Sequence, residues 1–223
     1  ALVQLQNNGQ VFPCACTRRE LADSLLAADG AAIYPGTCRL GMAEGKKTQA
    51  WRVRVSPASA GAVPIVFEDA IQGRIESDLS RDVGDFIVRR ADGLFAYQLA
   101  VVVDDAAAGV THVVRGADLL LSTARQIFLQ HCLGLPVPLY AHLPVVVNAA
   151  GEKLAKQTLA APLDSKRPVA GLICALTLLG QQPPPELVDA SLDELWAWAV
   201  RHWQLDNVPR QRSLPLAEPF VTP

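Results

Sequence analysis

The chain has 223 residues, 50% of them hydrophobic and 19% charged, with a formal net charge of −2. This length and composition fit one large domain, alone or with a small appendage, and exclude a disordered chain. The near-neutral balance excludes whole-body attraction to nucleic acid, so any such binding must use a local patch.

Taken in chain order, ALVQLQNN predicts the end of a helix that stops at Gly9, a residue suited to the left-handed position after a helix. In VFPCACTRRELADSLLAADG, Thr17 and Glu20 have the spacing of a capping box, which predicts a helix over 18–29 ended by Gly30. AAIYPGTCR reads as a turn-rich loop. From 51 to 115 the pattern reads mostly as strand. WRVRV alternates, with Trp51, Val53 and Val55 on one face and Arg52 and Arg54 on the other. PIVFED is a second strand. DFIVRRADGLFAYQLAVVVDD reads as two strands around the Asp92-Gly93 turn, and the apolar run 99–103 suits a strand buried on both faces. VTHVVRG adds a short strand.

STARQIFLQHCLG is helical in pattern, with Ser122 a candidate N-cap. LYAHLPVVVNAA is a strand-like run closed by a small-residue turn. RPVAGLICALTLLG predicts an apolar helix ending at Gly180, and PPP at 183–185 a stiff spacer. SLDELWAWAVRHW is a second helix with Ser191 and Glu194 as its capping box. The tail from 206 onward reads as irregular.

No apolar run approaches the ~20 residues of a membrane-spanning helix, and ALVQLQNNGQ lacks the basic and apolar regions of a secretory signal. The five cysteines are odd in number and not spaced as a disulfide framework. Together these features predict a reducing, cytoplasmic setting. Cys132 and Cys174 sit in apolar helical patterns and read as inert core residues. Cys14 and Cys16 form a C-x-C, with Cys38 on the next loop. Three thiolates suit a structural zinc, which takes four ligands; the alternative is three ordinary reduced cysteines. The first histidine is His112, so the fourth ligand must be unusual. Tyr34, four residues before Cys38, is one candidate, and Asp29 and a water are its competitors.

The remaining signals are individually small. Asp104 and Asp105 fall at the end of a predicted strand, where adjacent residues face opposite ways and cannot act as one pair. Tyr97 reads as a core tyrosine or a site residue. Arg115 ends a strand and could fork onto a carboxylate or phosphate, or pair with Asp118. Arg52, Arg54, Arg89 and Arg90 are candidate nucleic-acid contacts or a solvated strand face. GEKLAKQTLA, 151–160, places two lysines on a loop, which is either solvated or a receiver of an anionic group such as a polyphosphate.

In sequence, VVVDDAAAGVTHVVRGADLLLSTARQIFL followed by YAHLPVVVNAAGEKLAK resembles the second half of a class I glutamyl-tRNA synthetase catalytic domain, and the likeness runs over 1–209. KLAKQ is similar to the family's KMSKS-type loop, with Ala155 where serine is common and Gln157 in place of the last serine or arginine. The C-x-C…Y-x-x-x-C cluster, the -KQ ending and the short stretch after Gln157 resemble a truncated paralogue that glutamylates queuosine in tRNA(Asp).

That resemblance implies an α/β fold: the second half of a Rossmann-type catalytic domain, a small zinc-bearing insertion and a short helical C-terminal segment. The corresponding regions are 1–50, 51–165 and 166–223. It implies zinc on Cys14, Cys16, Tyr34 and Cys38, a glutamate pocket with Tyr97 and Arg115, and catalytic Lys153 and Lys156, with Lys156 on the phosphates of ATP and Mg²⁺ beside it. It implies L-glutamate, ATP and queuosine-containing tRNA(Asp) as partners and a monomeric state. The family also carries an upstream strand, HIGH-type motif and helix. No such stretch occurs here, so the expectation is an incomplete catalyst. The alternatives are part of an ordinary glutamyl-tRNA synthetase that charges a tRNA 3′ end, and a non-catalytic paralogue that binds tRNA or zinc.

Overall fold

The computed structural model describes residues 1–17, 19–22, 24, 26, 33–55, 64–160 and 162–216. The chain forms two compact units. One comprises Ala1–Glu68, Arg74–Val113 and Leu120–Leu139, and the other Asp69–Gly73, Val114–Leu119 and Tyr140–Pro223.

In the first unit, helix α1 (Leu2–Asn7) ends as expected, with Gly9 at φ +66°. It packs on helix α4 (Leu120–Leu133), and Gln4 Nε2 donates to Leu133 O at 3.1 Å. Strands β1 (Val11–Cys14), β2 (Ala50–Val53) and β5 (Phe86–Arg89) form an antiparallel sheet in the order β1-β2-β5. Val11 faces Val53 and Cys14 faces Ala50. A bulge between Trp51 and Arg52 shifts the register against β5. The capping box at Thr17 forms: Glu20 Oε2 accepts from Thr17 N at 2.7 Å, and Glu20 N donates back to Thr17 Oγ1 at 3.3 Å. It heads a short 3₁₀ turn, Arg19–Leu21. Of the rest of the helix predicted over 18–29, Ala22, Ser24 and Leu26 are described and none is helical, while the other residues, with Asp29 and Gly30, lie outside the described residues.

The largest departure from the sequence reading is at 97–107. These residues form helix α3 (Tyr97–Ala107) instead of a strand. The β-ladder ends where Ala96 N donates to Val88 O, and the chain turns into the helix at that point. Leu99 and Val102, one helical turn apart, are buried against neighbours that include α4. An unbroken apolar run carries no period, so burial decides what the pattern leaves open. Asp104 and Asp105 therefore lie on a helix and mark no strand end. Helix α4 also begins earlier than predicted, so Ser122 is inside it; its Oγ accepts from Gln98 Nε2 at 3.1 Å instead of capping.

Strands β3 (Pro64–Asp69), β4 (Gly73–Asp78), β6 (His112–Gly116) and β7 (Leu139–Leu143) make a four-stranded sheet in the order β4-β3-β7-β6. Strand β3 meets β7 in parallel, with Asp69 opposite Tyr140. Asp78 caps the short helix α2 (Leu79–Asp82) through its carboxylate.

In the second unit, strand β8 (Val145–Val147) pairs in parallel with β9 (Ser213–Pro215). The tail is thus partly ordered in a ladder, against the irregular reading. Helices α5 (Pro168–Leu178) and α6 (Leu192–His202) bury Leu176, Leu195 and Ala199 in one cluster. Gly180 stands at φ +74°, and a Cβ there would run into the carbonyl oxygen of Asn207. The second capping box is complete, with Ser191 N donating to Glu194 Oε2 at 2.8 Å. Proline 185 of the PPP spacer opens a 3₁₀ turn, Pro185–Asp189.

Candidate metal centre and active-site residues

Strand β1 delivers Cys14 at its last position, and Cys16 follows on the exposed side of the same turn. The loop after residue 33 supplies Tyr34 and Cys38 across the Pro35-Gly36 turn, where Gly36 takes φ +86°. The three sulfurs lie within 4.8 Å of one another. Cys16 and Cys38 are 3.6 Å apart, Tyr34 Oη is 3.5 Å from Cys14 Sγ and 3.6 Å from Cys16 Sγ, and Cys38 N donates to that phenolic oxygen at 2.7 Å. A tetrahedral site with metal–sulfur bonds of about 2.3 Å and metal–oxygen bonds of about 2.0 Å has S–S edges of about 3.8 Å and S–O edges of about 3.5 Å. The Cys16–Cys38, Tyr34–Cys14 and Tyr34–Cys16 separations match such edges, so Cys14, Cys16 and Cys38 could hold a metal ion, with the Tyr34 oxygen beside them as a hard fourth donor.

Arg52 supplies the countercharge. It was read as a nucleic-acid contact or part of a solvated strand face, but the side chain is buried. Its Nε donates to Cys14 Sγ at 3.4 Å, its Nη1 donates to Asp85 O at 2.9 Å, and its guanidinium carbon lies 4.0 Å from the centre of the Tyr34 ring. The reason is that Cys14 Sγ and the Asp85 carbonyl give the buried guanidinium its hydrogen-bond acceptors. Burial pushes the Cys14 thiol up, but hydrogen bonds from Tyr34, the backbone and Arg52 outweigh it, and the thiol lies below its ordinary value. Burial, assisted by its sulfur neighbours, raises Cys16. Burial and then the surrounding thiols hold Tyr34 strongly to its protonated form. A bound cation is what would favour a phenolate there. Cys132 and Cys174 are partly buried, short of the core placement expected, and burial raises both thiols, Cys132 to about 11.

In the second unit, Asp69 ends β3 with a fully engaged carboxylate. Its Oδ1 accepts from Ile71 N at 3.0 Å, Gln72 N at 2.8 Å and His142 N at 3.1 Å. Its Oδ2 faces His142 Nδ1 at 2.5 Å. His142, on β7, is 0% exposed. Its Nε2 accepts from Arg115 Nε at 3.0 Å. An arginine Nε–H can only donate, so Nε2 carries no proton and Nδ1–H donates to Asp69. Burial lowers His142, with the Asp69 carboxylate opposing, so the ring is neutral. Burial raises Asp69, but its amide and imidazole hydrogen bonds outweigh this and leave it below the ordinary carboxylate range. The sequence reading missed both Asp69 and His142. The available signal was a carboxylate closing the strand PIVFED and a histidine inside the apolar run YAHLPVVV.

Arg115 is half-buried on β6, and Tyr97 begins α3 with 51% exposure, so the core-tyrosine alternative fails. These two residues lie in different units. Asp118, the expected ion-pair partner of Arg115, accepts from Lys153 Nζ at 2.6 Å. Lys153 follows the 148–151 turn and bridges to Val147. Thr158 fixes the loop: its Oγ1 accepts from Ala155 N at 3.0 Å and donates to Lys153 O at 2.9 Å. Lys156 opens the 3₁₀ turn Lys156–Thr158, is exposed, and makes no ion pair among the described residues. Leu159 follows in the left-handed region at φ 55° and is 91% exposed.

Residues 2–171 match the family model described as tRNA synthetases class I (E and Q), catalytic domain. The glutamyl-Q tRNA(Asp) synthetase of Aromatoleum aromaticum is 64% identical over 211 residues, which is 95% of this chain and 65% of that protein. The protein of the same name from Dechloromonas aromatica is 54% identical over 213 residues, 95% of this chain and 69% of the relative. The chain thus spans about two thirds of the length of these relatives. Among solved structures, a glutamate-tRNA synthetase from Elizabethkingia anophelis superimposes with a TM-score of 0.70 at 20% identity, over 97% of this chain and 50% of that one. That likeness confirms the class I synthetase catalytic fold with mixed α/β sheets. The chain belongs to the class I (E and Q) tRNA synthetases, within the family of the glutamyl-Q tRNA(Asp) synthetases.

Proposed function

We propose that the full-length protein activates L-glutamate with ATP and transfers the glutamyl group to queuosine in the anticodon loop of tRNA(Asp). The observation that carries this reading is the 64% identity, over 95% of the chain, to a protein named for that reaction. In the first step a carboxylate oxygen of glutamate attacks the α-phosphorus of ATP, the bond to the bridging oxygen breaks, and pyrophosphate leaves. In the second step a ring hydroxyl of queuosine attacks the carbonyl carbon of glutamyl-adenylate, AMP leaves, and the hydroxyl proton is released.

Arg115 forks onto a carboxylate of glutamate, and Tyr97 is a second glutamate ligand. Lys156 offsets charge on the ATP phosphates, while Lys153 anchors the loop that carries it. The exposure of Lys156 supports this role, because its ammonium is available to a polyanion. Mg²⁺, when bound with ATP, supplies further neutralisation of the phosphates. Cys14, Cys16, Tyr34 and Cys38 would hold one zinc ion, which cross-links β1 to the following loop without entering the reaction. In this reading 1–50 holds the metal module, 51–165 the second half of the catalytic domain with its KLAKQ loop, and 166–223 a helical end. The protein acts as a monomer in the cytoplasm. No helix among the described residues is long and apolar enough to cross a membrane.

The test supplies the full-length protein with labelled glutamate, ATP and one of three acceptors: tRNA(Asp) with queuosine, tRNA(Asp) with guanosine in its place, and tRNA(Glu). Nuclease digestion then locates the label. The expected result is label on the queuosine nucleoside of the first acceptor alone. Label on the terminal adenosine of tRNA(Glu) would establish an ordinary glutamyl-tRNA synthetase, and label on none of them a binding-only paralogue.

A further inference from the structure

We propose that the open end of the β1-β2-β5 sheet, with the turn after β5, is a stacking surface for an unpaired base of the acceptor RNA. Phe95 is the ring that meets the base, and Arg89 is the cation that meets a phosphate. The proposal rests on the reading of the protein as an enzyme that modifies a base in a tRNA anticodon loop. Its geometry is one row of cross-strand partners. Pro13 faces Trp51, Trp51 faces Arg89, and Arg89 faces Phe95 in an antiparallel bridge. Residues directly opposite one another in antiparallel strands share a face, so the row stands on one side of the sheet. Its exposure rises outward: Pro13 and Trp51 are half-buried, Arg89 is exposed, and Phe95 is 56% exposed. Arg90 N donates to Leu94 O at 2.8 Å and Ala96 N to Val88 O at 2.9 Å. Arg89 and Phe95 are therefore a non-hydrogen-bonded pair, the arrangement that brings opposite side chains closest.

The charges on the turn suit a phosphate. Arg90 Nη2 donates to Asp92 Oδ2 at 2.6 Å, and Asp92 Oδ1 accepts from Leu94 N at 3.1 Å, so the carboxylate is compensated within the turn. Arg89 Nε donates to Gly93 O at 3.2 Å, and Arg89 makes no ion pair among the described residues. That bond ties its guanidinium to the turn that leads into Phe95. Among the described residues no ring stacks on Phe95 and no cation lies over it. A free ring face beside a cation is what single-stranded RNA requires: the base stacks on the ring, and the guanidinium takes the backbone. Bases inside a duplex offer no free face, so the surface selects unpaired ones. Tyr97 follows Phe95 by two positions through Ala96, whose backbone is extended at φ −72° and ψ 149°. A base on Phe95 is thus held next to a residue read as a glutamate ligand.

Three variants separate the ring from the charge. Phe95→Ala removes the ring, Phe95→Trp keeps an aromatic face, and Arg89→Gln removes the cation. All are made in the full-length protein and checked for thermal stability. The probes are a fluorescently labelled anticodon stem-loop RNA of tRNA(Asp) sequence and a blunt RNA duplex of the same length. Anisotropy gives the affinity of each across a series of salt concentrations. Sedimentation gives the oligomeric mass, and glutamate-dependent ATP–pyrophosphate exchange reports the activation step.

Phe95→Ala should weaken stem-loop binding about tenfold or more, and Phe95→Trp should stay within about threefold of the parent protein. Both should change duplex binding and pyrophosphate exchange by less than about twofold, because neither touches what those readouts measure. Arg89→Gln should reduce the slope of log affinity against log salt by about 0.7, the share of one phosphate contact on a single strand, and Phe95→Ala should leave that slope unchanged. Unchanged stem-loop binding in Phe95→Ala, an equal loss on stem-loop and duplex, or an unaltered salt slope in Arg89→Gln would overturn the stacking surface. A dimer of the parent protein that Phe95→Ala dissolves would assign the face to a second copy of the chain and overturn it as well. The acceptor reading fails separately: label on the terminal adenosine of tRNA(Glu) removes it, and the anticodon loop as occupant falls with it. Label on queuosine beside silent Phe95 and Arg89 variants would overturn the stacking surface alone.

Discussion

The thiol cluster and the lysine loop each gather like charge, but they compensate for it in opposite ways. Around Cys14, Cys16 and Cys38 the counterion is internal: Arg52 is buried, donates to Cys14 and lies over Tyr34. On the KLAKQ loop compensation is external. Lys153 reaches a half-exposed Asp118, and Lys156 faces solvent. Three separations within the cluster already match those of a metal site, so an ion bound there would need little reorganisation of the protein. Lys156 is exposed and makes no ion pair among the described residues, so its charge is compensated by solvent alone there.

The strongest way to break this comparison is to remove a ligand from the closed region. Cys38→Ser should reduce bound zinc from about one equivalent per chain to nearly none. It should also cost several kcal/mol of stability, because structural zinc binding is worth on the order of 10 kcal/mol in small zinc modules. Metal analysis of protein purified without chelators, paired with denaturant unfolding, reads both effects. Full zinc retention in the variant would refute the ligand set.

On the open region, Lys156→Ala should slow glutamate-dependent ATP–pyrophosphate exchange by about 10²-fold, comparable to removing one preorganised charge-stabilising donor. Glutamate binding at equilibrium should change little. Near-normal exchange would return the loop to an ordinary solvated surface.

Arg52→Lys sharpens the contrast between the two kinds of compensation. A lysine cannot serve both Cys14 and the Asp85 carbonyl with one planar fork, so metal affinity should fall about tenfold or more. Competition with a chromophoric chelator measures it, and unchanged affinity would mean that Arg52 only packs. The smallest effect should come from Asp118→Asn, which weakens a half-exposed ion pair and should cost less than about 1 kcal/mol in a urea titration. A loss of several kcal/mol would show that the loop depends on internal compensation after all.

Much of the loop was readable from sequence because its information is local. Gly151, the two lysines and the preceding strand are neighbours in the chain, and so are the capping pairs Thr17–Glu20 and Ser191–Glu194. The thiol cluster was readable for a different reason: three cysteines in 25 positions are rare enough to stand out without any knowledge of pairing. Residues 97–107 were not readable as a helix, since an all-apolar run fits either period and the arbiter is α4, more than a turn of chain away. The burial of Arg52 was hidden because its partner Cys14 lies 38 residues earlier. The pairing of Asp69 with His142 spans 73 positions and leaves no periodic trace.

The parallel pairing of β8 with β9 also sets an order of events during synthesis. The strand that leads into the lysine loop finds its neighbour only in Ser213–Pro215, which is made well after the loop itself. Translation at about 5–20 residues per second leaves that strand with one edge bare for several seconds. A chain arrested on the ribosome before Ser213 should therefore be cut by protease at 148–160, and a released chain should resist. The lysine loop thus matures well after the three cysteines of the thiol cluster have been made.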